Sequence, residues 1–132
     1  MDNSALAQFQ NAIDGFTSPI VPLVILTLVF LFIIAAQIIF TLKSDNVLIW
    51  IAPIFFGIAG GFANFVTASY YQNAKVVMET YEPVLTPNEF ALAPNYSAFE
   101  LLFIILGILY FISAFVSFVI AVIKAVRRRN MY

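Results

Sequence analysis

Few side chains in this 132-residue sequence are of a type and spacing that suit chemistry, and each has a plain structural reading beside the functional one. Glu79, Glu82 and Glu89 lie close together, and Glu79 and Glu82 share a helix face, an arrangement through which carboxylate oxygens take a divalent cation. No glycine-containing loop or further ligand accompanies them, so they read first as a solvated acidic loop. Gln37 and Thr41 stand one helical turn apart in an apolar run, where a polar side chain needs protein rather than lipid beside it. They read as an interhelical hydrogen bond to Asn64, Ser69 or Ser113, or as a contact for a substrate, lipid or partner helix.

Two stripes of small and polar residues complete the set. One contains Gly57, Gly60, Gly61, Asn64, Thr67, Ala68 and Tyr71, with Gly57 and Gly61 in GxxxG spacing, and the other contains Gly107, Tyr110, Ser113, Ala114, Ser117, Ala121 and Lys124. Small residues on one face let a second helix approach closely, so the stripes read as a helix-packing or partner interface, most simply against each other.

The residues that are missing exclude more than those present suggest. Without His and Cys the chain lacks the usual haem ligands, thiolate metal sites, iron–sulfur ligation and every nucleophile–imidazole pair. The expectation is therefore a non-enzyme, with no catalytic, cofactor-binding or metal residues of its own and with contacts to lipid. A net charge of -1 and a pI near 5.1 argue against a nucleic-acid partner. Asn95, Tyr96 and Ser97 match the N-glycosylation pattern, which a single occurrence at a span edge does little to support.

These residues are positioned by an unusually apolar chain: 63% hydrophobic, 17% aromatic, 10% charged, mean hydropathy +0.99. A soluble domain carries about 25% charged residues, so this composition belongs in a membrane. Three stretches lack any charge, residues 20–42, 47–74 and 101–123, and each exceeds the ~20 residues that a helix needs to cross the hydrocarbon core. The fold class expected is all-α integral membrane, with three transmembrane helices at about 18–42, 46–74 and 97–125, the second extending to about 81. Pro83 to Pro94 fall within an outer loop, 82–96.

Local signals mark the starts. Ser18 before Pro19 reads as a cap for the first span; Ser44, Asp45 and Asn46 offer one for the second; Ser97 with Glu100 reads as a capping box for the third. Pro53 should kink the second helix or delay its regular start, and Trp50 suits a membrane interface. Thr86, Pro87 and Glu89 form a further capping box for a short helix in the outer loop. Leu6, Phe9, Ile13 and Phe16 recur at helical spacing, predicting an amphipathic helix over 4–16 on the bilayer surface or on a partner.

Basic residues orient the spans. Lys43 follows the first span, and Lys124, Arg127, Arg128 and Arg129 end the third, while the N-terminal segment and outer loop are acidic. The positive-inside rule then gives an outside N-terminus and a cytoplasmic C-terminus, in a cell membrane. The function expected is a non-catalytic accessory or structural subunit of a larger membrane complex, whose partners are other membrane subunits or copies of itself. The order of spans is also similar to the topology of three-span phage holins, in size and topology with no shared motif, which implies a self-assembling pore lined by Gln37, Thr41, Asn64 and Thr67. A membrane-derived fibre or virion membrane subunit is the third alternative.

Overall fold

A chain segment in lipid must satisfy its own backbone hydrogen bonds, so apolar runs of this length close as helices. The computed structural model describes residues 2–44 and 46–130 and resolves five α-helices: α1 (Asp2–Thr17), α2 (Ile20–Leu42), α3 (Ile51–Glu79), α4 (Pro87–Phe90) and α5 (Tyr96–Asn130). Single 3-10 turns cover Val47–Trp50 and Glu82–Val84, and no strand occurs among the described residues. Three helical stretches, Ser4–Leu42, Val47–Val84 and Tyr96–Arg127, are long and apolar enough to cross a membrane. The side chains of Asp2, Asn3, Asp45 and Arg128, some of them named above as charge or cap signals, lie outside the described residues.

Side-chain chemistry at the helix ends accounts for most boundaries. The Asn46 side chain accepts from the Leu48 N–H at 3.1 Å and opens the 3-10 turn that precedes α3. Pro53 then falls in the first turn of α3, where its missing N–H has no intrahelical carbonyl to forgo. In the loop, Thr86 Oγ1 accepts from the Glu89 N–H at 3.2 Å and Glu89 Oε1 accepts from the Thr86 N–H at 2.9 Å, the two halves of a capping box.

Two starts differ from the sequence expectation. Ser18 does not cap α2: the N-cap is Pro19, without a side-chain bond, and the Ser18 N–H donates to the Asp14 carbonyl at 2.9 Å. The helix α1 is thereby finished by the very residue expected to begin α2. Ser97 does not cap α5, which has already begun at Tyr96, and Glu100 reaches across to Lys75 of α3 at 2.6 Å. A partly buried ammonium is a stronger partner for that carboxylate than a neutral backbone N–H.

The core is an antiparallel pair. Along α3 the buried positions Pro53, Gly57, Gly61, Asn64, Ala68, Tyr71, Ala74 and Met78 recur every three or four residues, and Phe103, Leu106, Tyr110, Ala114, Ser117 and Ala121 do so along α5. Such spacing keeps one seam of each helix facing the other. Helix α2 runs beside this pair with Ile20, Ile34 and Thr41 as its buried residues; 6% of its apolar span is covered, against 28% and 33% for the other two.

The apolar face of the N-terminal helix packs on the chain itself, where α3 and the loop that follows it offer aromatic rings. Phe9 is fully buried, 5.4 Å from the Tyr81 ring and 6.0 Å from the Phe90 ring, and Phe16 rests on Tyr70 and Tyr96. The Tyr71 hydroxyl donates to the Phe16 carbonyl at 3.0 Å, fixing the end of α1 to α3. Replacing Phe9 by Ala should cost about 3–5 kcal/mol at this contact. Hydrogen exchange should then accelerate in α1 while α3 and α5 keep their protection; an α1 as slow to exchange as in the wild type would contradict the docking.

Candidate functional site: the seam of α2, α3 and α5

The seam begins with glycine because backbone lies where side chains would otherwise be. A Cβ on Gly57 would sit 2.8 Å from both the Tyr110 carbonyl oxygen and the Ala114 Cβ, and one on Gly61 would sit 2.7 Å from the Phe111 ring. From the opposite helix, a Cβ on Gly107 would come 3.2 Å from the Gly61 carbonyl. These three glycines therefore belong to one contact within the chain, between α3 and α5.

Gly60 has a different role. A Cβ there would collide with the ring of Tyr110, which lies flat across α3 at that point. By crossing over Gly60, Tyr110 reaches α2: its hydroxyl donates to the Thr27 carbonyl, and the Thr27 hydroxyl lies 3.3 Å from it. Thr27 Oγ1 also donates to Asn64 Oδ1 at 3.1 Å, and Asn64 Nδ2 donates to the Gly60 carbonyl at 2.7 Å. Thr27, Asn64 and Tyr110 thus form a polar knot that joins α2, α3 and α5. The sequence reading missed Thr27, whose signal was its position as a lone hydroxyl in the apolar run before Gln37.

The remaining polar residues fall elsewhere. Ser113 Oγ donates to the Tyr110 carbonyl at 2.6 Å and Ser117 Oγ to the Ser113 carbonyl at 2.8 Å, so both hydroxyls are returned to α5. Thr67 and Thr41 do the same, to the Ala63 and Gln37 carbonyls. The interhelical bond expected of Gln37 is not made: Asn64 is taken at both ends of its amide, Ser113 bonds its own helix, and Ser69 is exposed. Gln37 Oε1 is buried without a hydrogen-bond partner.

Beside the knot, α2 and α3 leave a gap. The gap is a groove of about 380 Å³, walled by Leu26, Phe30 and Ile33 on one side and Phe56, Ala59 and Ala63 on the other, with Tyr110 and Phe103 behind. Its polar wall atoms, those of Thr27, Asn64 and Thr67, are already bonded to protein, so the groove offers apolar contact.

At the end where α2 and α5 finish, the chain is tied by charge. Lys124 Nζ donates to the carbonyls of Leu42 and, at 2.6 Å, Ser44, the unpaired acceptors left where α2 stops. The same ammonium stands 5.9 Å from the centre of the Trp50 ring. Trp50 is fully buried in this junction, with Nε1 unpaired. Lys124 is thus a fastening, whereas Lys43, Arg127 and Arg129 are exposed. Glu79 and Glu82 are exposed and Glu89 closes a cap; no cluster of three metal-ligating side chains occurs among the described residues.

Gly57→Leu and Gly61→Leu each force side-chain atoms into space held by backbone or ring. A loss of about 1–3 kcal/mol is expected for each, read as a lower midpoint when helicity is followed during denaturation of the detergent-solubilised protein. Tyr110→Phe should cost less, about 0.6–1.7 kcal/mol, since it removes only the tie to α2. Wild-type midpoints for the glycine variants would contradict the close approach. Comparison with protein-family models, curated proteins and solved structures returns no match to this chain, so the reading of the seam rests on its own residues.

Proposed function

We propose that this chain is a non-catalytic accessory or structural subunit of a larger membrane protein complex, lying in the cell membrane with its N-terminus outside and its C-terminus cytoplasmic. The observation that carries this reading is the contrast between the locked α3–α5 pair and α2. That helix is predominantly apolar, exposes Phe32 by 77% and Phe40 by 81%, and is held by a few buried side chains and polar ties. A framework with one open apolar helix suits packing between larger neighbours, with lipid covering whatever they leave bare. The lack of His and Cys supports placing any chemistry in those neighbours.

The pore alternative is less well supported. Its lumen was to be lined by Gln37, Thr41, Asn64 and Thr67, yet Thr41 and Thr67 bond their own helices and Asn64 is 5% exposed inside the knot. Orientation follows the charges: Lys43 and the basic end of α5 share one end, and Glu79, Glu82 and Glu89 the other.

Extraction in a mild detergent followed by native sizing and mass spectrometry of comigrating chains tests the proposal. Larger membrane subunits in fixed stoichiometry are the expected result. A homo-oligomer alone would overturn the accessory role and favour a pore or fibre.

A further inference from the structure

Charge in this molecule is sorted by end, and one cation at the basic end is used differently from the rest. Lys124 is engaged with the carbonyls of Leu42 and Ser44, which also sets the finish of α2 level with this part of α5. Lys43, Arg127 and Arg129 are exposed and form no ion pair among the described residues.

The apolar surface ends at the same level on both helices. On α2, exposed Phe40 and Leu42 give way to Lys43; on α5, exposed Val122 and Val126 give way to Arg127. Because Lys124 ties the two, these boundaries lie side by side, as they would where acyl chains meet headgroups. Consecutive helical residues are turned by about 100°, so Arg127 and Arg129, two positions apart, stand on nearly opposite sides of α5. Cations set so far apart meet a layer of surrounding anions better than a single acidic face on one protein partner.

We propose that Lys43, Arg127 and Arg129 bind the headgroups of anionic phospholipids around the shared end of α2 and α5. This rests on the membrane-spanning reading of the chain and extends it: the lipid is selected by charge at this end. The guanidinium groups present paired N–H donors to phosphate oxygens, and Lys43 adds a point charge beside them. The acidic end, with Glu79 and Glu82 exposed, repels the same lipids.

The test reconstitutes the full chain into bilayer nanodiscs of equimolar phosphatidylglycerol and phosphatidylcholine, and counts the lipids retained on the protein by native mass spectrometry. Wild type should retain phosphatidylglycerol preferentially and lose that preference as salt is raised. Lys43→Gln, Arg127→Gln and Arg129→Gln should each lower the preference, about fivefold per charge, with helicity unchanged. Equal retention of the two lipids by wild type would overturn the inference while leaving the membrane reading intact. Failure of the chain to enter the bilayer at all would overturn the membrane reading and the inference with it. Glu79→Gln with Glu82→Gln separates a local site from net charge: a gain smaller than the basic variants' loss supports the site, and one as large overturns it.

Discussion

The close approach of two backbones at Gly57, Gly61 and Gly107 is the constraint on which the other contacts depend. In lipid there is no hydrophobic gain from bringing apolar helices together, so association relies on packing and hydrogen bonds. Packing is strongest where nothing separates the main chains, and here a Cβ on Gly57 would stand only 2.8 Å from the Tyr110 carbonyl. Once α3 and α5 meet at that distance, the spacing of buried residues sets the register along both helices. That register brings Lys75 opposite Glu100 at one end and leaves Lys124 level with the finish of α2 at the other.

The two peripheral helices are attached by different means, and the magnitudes differ. Helix α1 lies on the projecting part of α3 and is held by rings: Phe9, Phe16, Tyr71, Tyr81 and Tyr96 bury large apolar areas, and a fully buried Phe alone contributes about 1.5–3 kcal/mol. Helix α2 has no comparable burial. Besides the buried Ile20 and Ile34, its ties are the knot at Thr27 and the Lys124 contact, and interhelical hydrogen bonds in membranes average about 0.6 kcal/mol each. The N-terminal helix is thus attached by aromatic rings, and α2 by a few aliphatic side chains together with polar ties.

Much of the architecture was legible in the sequence because its determinants are local. Charge-free runs mark helices, and Thr86 with Glu89 needs only its own turn to form a capping box. The glycine stripe names a close contact because small residues have few other uses at that spacing. What escaped the sequence reading is what depends on a distant partner. Glu100 fits the local pattern of a cap, yet Lys75 is nearer in space than in sequence and takes it. The period of Leu6, Phe9, Ile13 and Phe16 identifies an apolar face but not the surface that covers it. Tyr110 looked like one member of a stripe; that its ring crosses Gly60 to reach Thr27 follows only once the helices are placed.

Gly60 shows why the seam is built from three glycines in five residues rather than two. Gly57 and Gly61 suffice to seat α5 against α3, and a larger residue at position 60 would leave that contact untouched on the neighbouring face. It would, however, displace the Tyr110 ring that passes over it, and with the ring would go the hydrogen bond to the Thr27 carbonyl. Asn64 would lose the geometry that lets it bond the Gly60 carbonyl and Thr27 together. Position 60 thus controls how α2 sits without taking part in the α3–α5 contact itself. One glycine thus serves the core pair while its neighbour serves the third helix.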